Sequence, residues 1–212
     1  MKYIAQVTID KAVAAIRGLH GLYEWHQEAW KMFPGRPRDK RNSDFHFLTR
    51  LDTDEHEFRF TIVSDIKPQK QDWYPAGGYK EMEIPVFFFG RKSYLFQLTA
   101  NPTRTLSGRG PKGNKKKRGS HYAILKQDEL RHWFQQKEKQ CGFHVLEEPV
   151  LEISKPVFHK LYKGDDEGIV VGVEFKGALE VTNKELFEKT MREGIGRARG
   201  FGFGLFVLKP LV

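Results

Sequence analysis

Glu193-Gly194-Ile195-Gly196-Arg197-Ala198-Arg199-Gly200-Phe201-Gly202-Phe203-Gly204-Leu205-Phe206 decides how the chain is read. Five glycines and two arginines lie between a helical pattern (Asn183 to Arg192) and an apolar strand pattern (Phe201 to Leu208). Without a Cβ, a glycine backbone turns tightly and comes within hydrogen-bond distance of a phosphate. Arg197 and Arg199 add charge and bidentate donors at the same place. Gly194, Gly196, Arg197, Arg199, Gly200 and Gly202 are therefore candidate RNA-binding residues. The dinucleotide fingerprint runs strand, glycines, helix; here the order is helix, glycines, strand, which excludes it. Arg199 to Phe206 fits the RNA-recognition pattern K/R-G-F/Y-G/A-F-V-x-F/Y except at Gly204, where valine belongs. That pattern normally occupies a third strand, and too few residues follow Leu208 for a fourth. A glycine-rich turn feeding a buried strand is the competing reading.

Working outward, 212 residues with 17 Phe supply enough apolar material for one large domain or two small ones. The formal net charge of +9 favours a polyanionic partner. Met1 to Asp10 alternates like a strand and has no continuous apolar region, unlike a signal peptide. No apolar run approaches the ~20 residues of a membrane span. Cys141 is the single cysteine, which excludes an internal disulfide and a thiolate zinc cluster within one chain. A soluble, cytoplasmic protein is expected.

Alternation and helical spacing predict a strand over Met1 to Ile9, a short helix or loop over Lys11 to Leu19, and a helix over Gly21 to Phe33 closed by Pro34-Gly35. Strands follow at Phe45 to Leu51 and Glu57 to Ser64, then a compact loop or broken helix at Gln71 to Lys80. A strand containing Pro85 is expected at Met82 to Phe89. Gly90-Arg91-Lys92 marks a boundary, dividing the chain into residues 1–90 and 91–212. The second part reads as a strand (Ser93 to Ala100), a long basic loop (Thr103 to Ser120) and a helix (Lys126 to Gln140). Strand-like runs follow at Phe143 to Leu146, Val150 to Phe158, Ile169 to Phe175 and Ala178 to Val181. Asn183 is suited to cap a helix over Lys184 to Glu193, and Phe201 to Leu208 forms the last strand. Each part runs strand, helix, strands, helix or loop, strand, so the expected fold is α+β: two tandem βαββαβ units.

Two further stretches carry candidate chemistry. In Leu22-Tyr23-Glu24-Trp25-His26-Gln27-Glu28-Ala29-Trp30-Lys31-Met32-Phe33, helical spacing gathers Leu22, Trp25, Ala29 and Phe33 on one face. Tyr23 and His26 are neighbours at that face's margin, half covered and half open, with Trp30 beside them. An imidazole so placed either titrates against a ligand or is simply packed. Lys31 lies well around the helix, and only its flexible stem allows a shared site. The loop from Asn101 to Ser120 carries Arg104, Arg109, Lys112, Lys115, Lys116, Lys117 and Arg118 without one acidic residue. Cations spaced by Gly, Ser, Asn and Pro suit an irregular phosphate backbone, although a solubilising loop has the same composition. The histidines have no ligand spacing between them or with Cys141, so no metal or other cofactor is expected.

The Tyr-Glu-x-His helix from residue 23, the Ala100-Asn101-Pro102-Thr103-Arg104 stretch leading into the basic loop, and the Gly194 to Gly204 ending together resemble the CasE family. These are the repeat-processing CRISPR endoribonucleases of type I-E systems, within the Cas-six group of RAMP proteins. The resemblance spans the chain in length and motif order. It implies two ferredoxin-like (RRM-like) domains in tandem, and metal-independent cleavage of precursor CRISPR RNA at the base of the repeat hairpin. It also implies that the product stays with the other Cascade subunits. Tyr23 and His26 fall on the family's catalytic pair, and Lys31 falls where some members have an assisting lysine. Bulky Trp25 and Trp30 within the motif and the longer basic loop are departures. A non-catalytic RAMP subunit that binds CRISPR RNA as a scaffold has the same glycine-rich ending. A metal-dependent nuclease would need acidic residues to converge from distant strands.

Neutralising Lys115, Lys116, Lys117 and Arg118 together is expected to weaken hairpin-RNA binding and to flatten its dependence on salt, because fewer counterions are released. Filter binding across a salt series checks this; unchanged affinity and slope would make the loop a solubilising segment.

Overall fold

The computed structural model of the chain describes residues 1–36, 45–106, 120–163 and 166–211. It contains two antiparallel sheets, each with its own apolar core, plus a two-stranded hairpin.

The first unit begins with β1 (Tyr3–Asp10), whose Ala5, Val7 and Ile9 point into the core. The Asp10 carboxylate accepts from the Ala12 amide at 2.7 Å and starts the short helix α1 (Lys11–Ile16). Helix α2 (Leu22–Lys31) buries Trp25 and Ala29, and Met32 and Phe33 continue its apolar face. Strands β2 (Phe47–Thr53), β3 (Glu57–Ser64) and β4 (Tyr79–Glu83) complete a sheet of order β2-β3-β1-β4, antiparallel throughout. That is the strand order of a ferredoxin-like fold.

Between β3 and β4 the second helix of the motif is replaced by turns, because Pro68, Pro75, Gly77 and Gly78 interrupt helical hydrogen bonding. Tyr74 from this segment is nevertheless buried and donates its hydroxyl proton to Glu28 of α2 at 3.2 Å. Burial, together with the Glu28 charge, pushes the Tyr74 phenol far above its usual range. The strand expected over Met82 to Phe89 stops at Glu83, since Pro85 cannot donate to a ladder. Val86–Gly90 form a 3-10 turn instead, and its Phe88 and Phe89 pack against the second core.

The second unit runs β5 (Ser93–Ala100), β6 (Thr103–Leu106), β7 (Ser120–Ala123), α3 (Gln127–Cys141), β8 (Phe143–Val145), β9 (Glu152–Ile153), β10 (Val157–Lys163), β11 (Asp166–Val181), α4 (Lys184–Glu193) and β12 (Phe206–Pro210). Tyr94, Phe96, Leu98 and Ala100 alternate into the core of β5, where Trp133 and Phe134 of α3 stack on Phe175. The main sheet has the order β10-β11-β5-β12. Two expected strands merge into the single β11, and β8, β9 and β10 lie in succession along its edge as an interrupted second strand. The result is again βαββαβ, with the β6–β7 hairpin inserted after the first strand. Asn183 caps α4 as expected, accepting from the Leu186 amide at 3.0 Å. The two units are tandem ferredoxin-like folds.

The last strand begins at Phe206, five residues later than its apolar pattern suggests. The intervening glycines are committed elsewhere. The Ile195 amide donates to the Gly204 carbonyl at 2.9 Å, and the Gly204 amide donates to Thr99 on β5 at 2.7 Å. Gly204 has φ +86, and a Cβ there would lie 3.0 Å from the Ile195 nitrogen and closer still to its carbonyl oxygen.

The faces of the two sheets that point away from their helices meet at Arg50 on β2, which is 2% exposed. Its Nε donates to both Asp52 carboxylate oxygens at 2.8 and 2.9 Å, and its Nη2 to Glu174 on β11 at 3.0 Å. Leu48, Val63 and Leu205 form a small apolar cluster across the same seam.

Gly204→Ala combines a left-handed backbone with a backbone collision and is expected to lower unfolding free energy by at least ~2 kcal/mol. Gly168→Ala meets only Leu161 at 3.9 Å. It should change stability by less than ~1 kcal/mol. Urea denaturation of both variants provides the comparison.

Candidate active site

Helix α2 carries Tyr23 and His26 on its half-buried margin, as helical spacing requires once Trp25 and Ala29 face the core. The second unit approaches this margin through the glycine-rich segment. Arg199–Phe201 form a 3-10 turn flanked by Ala198 (φ 56) and Gly202 (φ +90). Phe201 sets its ring 5.4 Å from the His26 imidazole, and a Cβ on Gly200 would lie 3.3 Å from His26 Cε1. The imidazole and the glycine turn therefore come from different units and meet across the seam.

Trp30, one helical turn beyond His26, donates its indole N–H to His26 Nε2 at 3.2 Å. Its ring stands edge-on to Phe45 and Phe47, with centroids 6.1 and 4.9 Å away. Beside this pair opens a groove of about 300 Å³, lined by His26, Trp30, Phe45, His46, Phe47, Leu48, Arg192, Glu193, Arg199 and Gly200. Arg199 donates to the Glu193 carbonyl at 2.5 Å, which holds the guanidinium at the groove. Arg192 pairs with Asp65 at 3.1 Å, and His46 lies 3.5 Å from the same carboxylate. A partly apolar, cation-flanked groove with an imidazole in its wall can seat a phosphodiester and move a proton there.

The remaining expected residues divide. Tyr23 shares the helix margin with His26 without lining the groove. Lys31 places Nζ 2.8 Å from Glu28, a carboxylate 1% exposed, and likewise does not line the groove. Gly194 packs on Leu48, Gly196 on Trp133, and Gly202 over the β2 backbone. In the protein alone, the close approach these three glycines allow is to protein atoms. Arg197 is exposed. Arg104 stands on β6 and reaches Glu129 of α3 at 3.3 Å. Arg109, Lys112, Lys115, Lys116, Lys117 and Arg118 lie outside the described residues.

Sequence reasoning missed His46 and Arg192. The cation at 192 extends the basic character of the glycine stretch by one helical turn and was available as a signal; nothing local marks His46. Among the described residues, no group of three or more His, Cys, Asp or Glu side chains converges to hold a metal ion.

A family model described as CRISPR associated protein matches residues 2–210. The chain belongs to this family. Within it, the chain is 27% identical over 218 aligned residues to the CRISPR system Cascade subunit CasE of Escherichia coli, covering 96% of this chain and 99% of that protein. It is 27% identical over 124 residues to the CRISPR-associated endoribonuclease Cse3 of Thermus thermophilus, 54% of each chain. The fold matches Thermus thermophilus Cse3 bound to an RNA representing a pre-cleavage complex, with a TM-score of 0.77 at 23% identity over 99% of both chains. It also matches Cas6e from Escherichia coli, with a TM-score of 0.66 at 24% identity over 99% of this chain and 100% of that one. Among the described residues, no helix is long and apolar enough to cross a membrane.

His159 of β10 sits against Phe203 across the glycine segment, and burial pushes its pKa below the usual histidine value. A lowered folded-state pKa stabilises the fold at pH values above the unfolded pKa of about 6.5. That contribution is lost as pH falls from there through the folded value. His159→Gln is expected to flatten the decline in unfolding free energy between about pH 6.5 and pH 5, measured by denaturant titration at each pH.

Proposed function

We propose that the protein is an endoribonuclease that cleaves precursor CRISPR RNA at the base of the repeat hairpin and stays with the guide RNA in a Cascade-type complex. Membership of the family and the two curated relatives support this reading. The observation that carries it is the meeting of His26 from the first unit with Arg199 and Gly200 from the second in one open groove. A scaffold that only holds RNA has no need of an imidazole set into such a groove.

The reaction is transesterification within the RNA. The 2′-oxygen attacks the adjacent phosphorus in line with the departing 5′-oxygen, leaving a 2′,3′-cyclic phosphate and a 5′-hydroxyl. No metal enters. His26 moves the proton, a role worth about 10²–10⁴-fold. Arg199 at the groove, with Arg192 behind it, offsets charge on the phosphorane. Tyr23 orients a group by hydrogen bonding. Lys31, paired with Glu28, reaches the phosphate only by leaving that carboxylate and takes a lesser, assisting part. The basic β6–β7 loop and Arg197 hold the hairpin stem. Such processing is expected to take place in the cytoplasm.

His26→Ala is expected to slow single-turnover cleavage of the host repeat RNA by at least ~10²-fold, with affinity changed only a few fold. Cleavage should continue in excess EDTA, give cyclic-phosphate ends, and stop with a 2′-deoxy nucleotide at the cut. Cutting of that deoxy substrate would mean an external nucleophile and a different mechanism; full activity in His26→Ala would remove the imidazole from the chemistry.

A further inference from the structure

We propose that Trp30 is a positioning residue for His26: its indole N–H occupies Nε2, commits the neutral ring to carrying its proton on Nδ1, and so presents His26 to the RNA as a base. This rests on the ribonuclease reading above.

The indole nitrogen donates and cannot accept. While Trp30 Nε1 lies 3.2 Å from His26 Nε2 in this bond, Nε2 carries no proton, and the neutral imidazole must hold it on Nδ1. The donor is well fixed. Trp30 is four residues after His26 on α2, so both rings ride on one rigid helix face. Its indole stands edge-on to the His26 ring and edge-on against the stacked Phe45 and Phe47 rings, which resist its rotation. The opposite edge of the imidazole faces the glycine turn, where a Cβ on Gly200 would lie 3.6 Å from Nδ1. His46, Arg192, Glu193 and Arg199 supply the other titratable and charged groups of the groove.

Entry of RNA then exchanges one donor for another. The 2′-hydroxyl replaces the indole N–H at Nε2 and its proton passes to that nitrogen. The oxygen electron pair forms the bond to phosphorus as the bond to the 5′-oxygen breaks. The departing oxygen takes a proton from water, and the hydroxide so formed removes the extra proton from the imidazolium. The ring returns to its Nδ1–H form, and Trp30 closes on Nε2 again. An indole there also excludes water from the lone pair until substrate arrives.

The test is long-range ¹⁵N–¹H correlation NMR on the full chain labelled at histidine, at a pH where the rings are neutral, with His26 identified by its loss in His26→Ala. The expected spectrum shows Nε2 unprotonated and Nδ1 protonated. Trp30→Phe keeps an aromatic ring against Phe45 and Phe47 but deletes the donor. In that variant the ring should move towards the Nε2–H form, and single-turnover cleavage should fall by about tenfold at unchanged RNA affinity. A wild-type ring protonated at Nε2 overturns the proposal whether or not the variant folds. So does a Trp30→Phe protein with an altered tautomer and full cleavage rate. Wild-type protein that shows the Nδ1–H form but cuts no repeat RNA overturns the ribonuclease reading and leaves the hydrogen bond standing.

Discussion

The structure depends on a crossing of two backbones. Gly204 passes under Ile195 closely enough for amide-to-carbonyl hydrogen bonding, and is tied from its own amide to Thr99 of the central strand β5. Side chains are excluded from the contact on one side by the approach itself and by the left-handed φ at Gly194 and Gly204. Ile195, 1% exposed, anchors the crossing in the second core. The ten residues from 195 to 204 are thereby closed into a loop whose ends are fixed. Its far side, Arg199 to Phe201, has to project across the seam towards α2. The glycines that looked like a phosphate cradle act first as the hinge of this loop, and Gly200 alone among them lines the groove.

The same projection requires the two sheets to hold a definite angle to each other, and here the buried charges matter. Arg50 is almost fully enclosed, yet its guanidinium is shared between Asp52 of its own strand and Glu174 of the other unit. Burial pushes the Glu174 carboxyl up. Hydrogen bonds from Lys176, Gln97 and Arg50 outweigh this and hold it below the usual carboxylate range. Such pairs add little net stability against an apolar alternative, because desolvation offsets their attraction. What they add is direction: a guanidinium whose Nε and Nη2 bond to carboxylates of two units tolerates one relative placement, where the neighbouring Leu48, Val63 and Leu205 contact would tolerate several.

What could be read from the sequence follows the range of the forces involved. The strand β1, the helix α2 and the Asn183 cap of α4 rest on contacts a few residues apart, and alternation or helical spacing records them directly. The tandem βαββαβ plan follows from their order. Failures arise where distant partners decide. Gly177 looks like a strand break but continues β11, because β5 supplies a full ladder beside it. Phe201 to Leu205 have strand composition but are held in the loop by the crossing at Ile195. Arg50 alternates like a solvent-facing cation and is buried only because a second sheet covers it. In the site, the place of His26 on the half-buried margin of α2 was legible from helical spacing, while His46, Arg192 and Gly200 come together only when both units are present.

The placement of His26 at the seam has a consequence for how folding and chemistry are coupled. Helix α2 is held from beneath by Trp25 and Ala29 in the first core and from the side by the Glu28 carboxylate, which accepts from Tyr74 and Lys31. The first unit holds the helix through these contacts, while Phe201 of the second packs on the imidazole itself. The first unit cannot supply Arg199, whose position is set by the Glu193 carbonyl at the end of α4 and by the loop that α4 feeds. His26 and Arg199 thus belong to separately packed cores. Ala198, the non-glycine residue at positive φ among those described, sits in the connection that brings them together. A residue held in that region is strained. The strain persists because both ends of the loop are pinned, one at the Ile195–Gly204 crossing and the other by Phe201 against the imidazole. Loosening either end would draw Arg199 and Gly200 away from His26.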